Sequence, residues 1–158
     1  MIDPYVQYVG FYGPIIVGLI NIFYLWPQKF YLSVYIVFLF LNVFINKGLK
    51  VIIQDPRPKP NGGNFDNIKN YTGAEQYGMP SGHAQSAFFS IMFLYLVTGY
   101  VEVFLVSFFI TILTLYQRWK SRKHTFMQLL AGSFVGGIIG FIVYSLSKTY
   151  KHTFSDKQ

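Results

Sequence analysis

The sequence predicts an all-α fold, a polytopic transmembrane helical bundle of about five spans. Hydrophobic residues make up 53% of the chain and charged residues only 12%, which leaves too little polar surface to coat a soluble globule of 158 residues. The apolar residues are gathered into long runs, each comparable with the roughly 20 residues that cross about 30 Å of hydrocarbon. The polar residues collect at the ends of these runs and in two loops. A chain of this length buries one core, so residues 1–158 are read as a single membrane-embedded domain.

The spans fall at about 6–26, 30–53, 81–98, 101–116 and 125–146. Gly10, Gly13, Pro14 and Gly18 weaken or kink the first of these. The N-terminus lacks the basic region of a cleavable signal, so that first run is expected to remain as a span. The stretch 84–116 is too long for one crossing, and Gly99 with Glu102 supplies a turn between two short ones. In the last span, Gly132, Gly136 and Gly140 repeat a spacing that lets another helix approach closely. Between spans, residues 54–80 form the long polar loop, where Pro56, Pro58, Pro60 and the Asn-Gly-Gly of 61–63 block continued helix. A shorter polar loop covers 117–124.

The formal net charge is +7, a basic excess that suits nucleic acid, an anionic membrane or an anionic substrate. Lys and Arg sit at run ends and in loops, without a basic stripe carrying interleaved aromatics, which argues against nucleic acid. The absence of cysteine excludes disulfides and thiolate sites.

Three blocks at span ends carry the chemistry. Lys50 is followed by Arg57-Pro58, then comes Pro80-Ser81-Gly82-His83, and Arg118 precedes His124 and Gln128. If the third and fourth spans form a return pair, parity of crossings puts all three blocks on one membrane face. Lys50, Arg57 and Arg118 would then be cations converging near the hydrocarbon boundary, where uncompensated charge costs on the order of 2.5–3.5 kcal/mol each. A bound phosphoryl group removes that penalty, with Arg donating bidentate bonds and Lys acting as a point charge. Ser81 is placed as an N-cap, and Gly82 allows the backbone to approach an anion at the helix start. His83 and His124 divide the labour of phosphoryl transfer, one attacking phosphorus and the other protonating the leaving oxygen.

Each block also has a plainer reading. Lys50 and the basic loop would serve as headgroup contacts, His83 as a packed helix-start residue, and Gln128 as the partner of Thr125 in a capping box. Together they are harder to dismiss, because Pro-Ser-Gly-His is expected by chance in on the order of one chain in a thousand of this length.

These blocks resemble the signature of the membrane type 2 phosphatidic acid phosphatases, whose superfamily includes bacterial acid phosphatases and vanadium haloperoxidases. Lys50, Arg57 and Pro58 match its first part and Pro80 to His83 its second, while Arg118 and His124 match the third with Gln117 and Gln128 in place of Ser and Asp. The motif-bearing core covers about 30–146. The resemblance implies that His124 is the nucleophile, that His83 protonates the leaving group, and that Lys50, Arg57, Ser81, Gly82 and Arg118 hold the phosphoryl oxygens. Gln128, four residues beyond His124, is expected to accept its Nδ1 proton and orient it. No metal or cofactor is implied, and the expected partners are a lipid phosphate or diphosphate and the surrounding membrane lipids.

Within the family the chain looks most like dolichyl-diphosphatases, through Gln54-Asp55-Pro56-Arg57-Pro58, Tyr77 to Ser81, Gln85 and Gln128. The rival readings are a broader phosphatidate or undecaprenyl-type phosphatase and a weakened phosphatase-fold membrane scaffold. The positive-inside rule would put the site in the cytoplasm, whereas the resemblance implies the lumenal or extracytoplasmic face of the endoplasmic reticulum or an equivalent membrane.

Overall fold

The structure, a computed structural model, describes residues 3–58 and 72–155. Pro60 and the Asn-Gly-Gly of 61–63 lie outside the described residues. The elements are α1 (Pro4–Leu25), α2 (Lys29–Ile53), a single 3-10 turn (Gly73–Gln76), α3 (Gly82–Thr98), α4 (Val101–Lys120) and α5 (Phe126–Ser155). Four of them, α1, α2, α4 and α5, are long and apolar enough to cross a membrane. The fifth, α3, has 17 residues and rises roughly 25 Å. It packs against all four other helices, so its backbone is sheathed by protein.

Local chemistry explains the boundaries. Asp3 caps α1 by accepting from the amides of Tyr5 at 2.9 Å and Val6 at 3.3 Å, with Pro4 at the first helical position. Gly99 ends α3 in the left-handed region, φ 69°, and its amide donates to the Tyr95 carbonyl at 2.8 Å. Helix α4 runs past the expected end at 116, so Gln117 and Arg118 are helical rather than in a loop.

The glycines of α1 act differently from the expectation. The helix is continuous through Pro14, and any Cβ at Gly10 or Gly13 would run into Gln117 and Thr114 of α4. They are contact points that seat α1 on α4. The spacing in α5 works as expected: a Cβ at Gly132, Gly136 or Gly140 would strike backbone oxygens of Ser81, at the N-cap of α3, and of Gln85 and Phe89 within it.

Between these helices Tyr35, Phe89 and Phe93 stack with ring centroids 5.7 to 6.1 Å apart, and Tyr35 shares a 2.8 Å hydrogen bond with Ser90. Toward the polar loop the α2–α3 seam becomes amide-rich. Gln85 donates to the side-chain and backbone oxygens of Asn42, while Asn46 donates to Gln85 and to the Pro80 carbonyl. That network ties the start of α3 to the last turns of α2.

Candidate active site

The three blocks converge. Lys50, Arg57, Gly82, His83, Arg118 and His124 line one cavity of about 640 Å³, together with Phe11, Pro14 and Ile15 of α1. Their convergence requires α3 and α4 to form a return pair. Ser81 and Gln128 are fully buried behind that wall.

Each element delivers its side chain for a local reason. Lys50 occupies the last turn of α2, which Gln54 closes in the left-handed region at φ 54°. The chain then runs extended, and Pro56 forms an antiparallel bridge with Tyr77 at the other end of the long loop. The Gly78 amide donates to the Asp55 carbonyl at 2.7 Å, so both ends of the loop are joined beside the site. Arg118 sits in the last turn of α4, and its carbonyl accepts from the amides of Lys123 at 3.0 Å and His124 at 3.3 Å. The five intervening residues are therefore the length of chain that folds back to lay His124 beside Arg118. At the start of α3 no side chain caps the helix. Ser81 holds the N-cap position, yet its buried hydroxyl has no hydrogen-bond partner among the described residues. The first-turn amides and this hydroxyl are thus not engaged with one another.

His124 is held in one tautomer. Its Nδ1 lies 3.0 Å from the Gly78 carbonyl oxygen, which can only accept, so Nδ1 carries the proton. Its Nε2 lies 3.2 Å from Arg57 Nη1, a group that can only donate, so Nε2 presents a lone pair. Burial, followed by the charges of Arg57, Arg118 and Lys50, holds the imidazole pKa well below its ordinary 6.5. His124 is therefore neutral at neutral pH.

The orienting acceptor is the Gly78 carbonyl, where Gln128 was expected. The Gln128 amide oxygen accepts from the Thr125 amide at 3.1 Å, and the Thr125 hydroxyl accepts from the Gln128 amide at 3.2 Å. This is the reciprocal capping box at the start of α5. The Gln128 Nε2 donates to the Asp55 carboxylate and to the Pro56 carbonyl. Gln128 thus holds the chain segment whose Asp55 carbonyl fixes Gly78, and its side-chain amide also packs directly on Gly78, so it reaches His124 through Gly78.

Glu75 was not foreseen. Its Oε2 accepts from Lys50 Nζ at 2.8 Å and from Arg57 Nη2 at 3.2 Å, and its backbone carbonyl accepts from Arg57 Nε at 2.8 Å. The available signal was charge balance, since Glu75 is one of only six acidic residues and lies in the loop between two cationic blocks. Among the described residues no cluster of three or more His, Cys, Asp or Glu is placed to hold a metal ion.

Comparison with known proteins identifies the family and the fold. The PAP2 superfamily model matches residues 31–151. The fold is similar to the crystal structure of the transmembrane PAP2 type phosphatidylglycerolphosphate phosphatase from Bacillus subtilis, with a TM-score of 0.62 and 19% identity over 94% of this chain and 80% of that one. No curated protein matches significantly. A multi-pass membrane bundle with the three blocks gathered at one cavity, matched by the family over most of its length, belongs to the PAP2 superfamily.

Proposed function

We propose that the chain hydrolyses a polyprenyl, dolichyl-type diphosphate or a related lipid phosphate through a phosphohistidine on His124. The observation that carries this reading is the neutral His124, with its Nε2 lone pair turned toward Arg57 in a cavity that also holds Lys50, Arg118 and His83. In the first step Nε2 attacks phosphorus while the bond to the leaving oxygen breaks, and His83, which takes up a proton as the phosphoryl anion offsets the cations around it, gives that oxygen a proton. In the second, water attacks the phosphohistidine as His83 takes up its proton, releasing inorganic phosphate and free His124. Lys50, Arg57, Arg118 and the Gly82 amide stabilise charge on the phosphoryl oxygens as it develops. Gln128 is a positioning residue in this scheme.

The lipid tail has a route. Ile15 of α1 and Val43 of α2 line the cavity and are themselves 60% and 41% exposed. A polyprenyl chain passing between α1 and α2 stays in hydrocarbon while its phosphate reaches the cations. The dolichyl-type preference rests on the sequence around Asp55, Met79, Gln85 and Gln128. Phosphate release from dolichyl diphosphate, farnesyl diphosphate and phosphatidate, measured side by side, tests it. Faster release from the polyprenyl diphosphates supports the preference, faster release from phosphatidate favours the broader phosphatase, and no release from any leaves the scaffold reading.

The site is proposed to face the lumen or the extracytoplasmic space. The chain has no cysteine, so Thr72→Cys offers a single label position. Its modification by an impermeant maleimide from the cytoplasmic side would overturn that orientation.

A further inference from the structure

The hydrolysis outlined above leaves Glu75, an acidic residue of the cavity wall, without a task. A single oxygen of Glu75 bridges Lys50 and Arg57, two of the three cations that would hold the phosphoryl group. The Lys50 side chain is only 3% exposed, so without an anion it is a nearly buried, uncompensated charge. We infer that the Glu75 carboxylate is the resident counter-ion of the phosphoryl site, which gives way to the substrate phosphoryl group and returns to Lys50 and Arg57 to expel inorganic phosphate. This rests on the lipid phosphatase reading.

Three features fit an exchangeable group. The carboxylate oxygen sits where a phosphoryl oxygen would bridge the same two donors, at 2.8 and 3.2 Å. Its side chain is 48% exposed, so it has an open path away from the cations. The backbone carbonyl of Glu75 holds Arg57 Nε independently at 2.8 Å, so Arg57 stays anchored when the carboxylate turns out. Burial pushes the Glu75 carboxyl upward, but the hydrogen bond and charge of Lys50, with the charges of Arg57 and Lys47, outweigh it and hold the group below its ordinary value. Glu75 is therefore an anion whenever substrate arrives.

The consequence is a uniform handicap on every competing anion. A substrate, a product phosphate and a phosphodiester headgroup of the bilayer must each displace the same carboxylate, so each binds more weakly by about the same factor. In a membrane crowded with phosphodiester lipids, such a handicap keeps the cavity open, and it shortens the stay of a product held by three cations.

The test uses the full chain in detergent micelles, as wild type, Glu75→Gln and Glu75→Ala. The inhibition constants of inorganic phosphate and of dioctanoyl phosphatidylglycerol are measured with the KM of a lipid phosphate. In both variants the two inhibition constants and KM are expected to fall by about three- to tenfold, the range for losing a charge-assisted contact discounted for its exposure. A merely structural role for Glu75 would loosen Lys50 and Arg57 and raise these constants. Constants that rise or stay unchanged overturn the inference. If the wild type neither releases phosphate from lipid phosphates nor is occupied by inorganic phosphate, the lipid phosphatase reading fails and this inference with it. A wild type that does both while the variants bind no tighter defeats this inference alone.

Discussion

Gln128→Glu separates the capping and bracing role of this residue from that of an acceptor facing His124. Gln128 is fully buried, and its Nε2 donates both to the Asp55 carboxylate and to the Pro56 carbonyl at 2.9 Å. Gln128→Ala loses these bonds and the cap on the Thr125 amide, a cost of about 3 kcal/mol at roughly 1 kcal/mol per net hydrogen bond. Gln128→Glu keeps the cap but turns a carboxylate toward the Asp55 carboxylate and a carbonyl oxygen. Two charges about 3 Å apart repel by ~5 kcal/mol at an effective dielectric constant of about 20, unless one takes up a proton. Thermal unfolding in detergent should therefore rank wild type above Gln128→Ala and Gln128→Ala above Gln128→Glu. Adding Asp55→Asn to Gln128→Glu restores a donor–acceptor pair and should recover most of the loss. Turnover per folded molecule should fall by roughly tenfold in either single variant, because Gly78 and His124 lose their brace. A Gln128→Glu protein as stable and as active as wild type would refute this reasoning and return Gln128 to the role of a proton acceptor beside His124.

Two further outcomes follow from the geometry. Gly136→Val should destabilise the bundle more than Gly137→Ala, since a Cβ at 136 meets the Gln85 backbone whereas one at 137 meets only the end of Met92 at 3.9 Å; equal melting temperatures would contradict the packing of α5 on α3. Below pH 6.5 the unfolded chain protonates His124 and the folded chain, with its pKa depressed, does not, so stability is full above 6.5 and declines as pH falls toward the folded value. Melting temperature followed from pH 7.5 to 5 should fall less steeply in His124→Asn than in wild type, and identical slopes would show that His124 is not held neutral.

Much of the fold was legible because membrane solvation writes long apolar runs into the sequence. The turn at Gly99 was readable for the same reason, since only a break there divides 84–116 into two helices. What misled was the chemistry of close approach: Gly10 and Gly13 carry a low helix propensity, yet that cost is offset where the absence of a side chain seats α1 on α4. Of the site, Lys50, Arg57, Gly82, His83, Arg118 and His124 share a cavity as their blocks implied. Ser81 and Gln128 lie behind it, and Gly78 and Glu75 act from the loop. The Gly78 carbonyl is a backbone group, which no residue type advertises. Gln128 has the spacing of an orienting residue and of a capping box alike, and only the position of Asp55 decides how its amide is turned.

The most direct test of the central claim is to trap the phosphoenzyme. Purified protein mixed with radiolabelled lipid phosphate, quenched under alkaline denaturing conditions and digested, should yield an acid-labile phosphohistidine at position 124, absent from His124→Ala along with all but a trace of turnover. Phosphate release without any labelled histidine, or a His124→Ala protein that retains substantial activity, would contradict the assignment of His124 as the nucleophile.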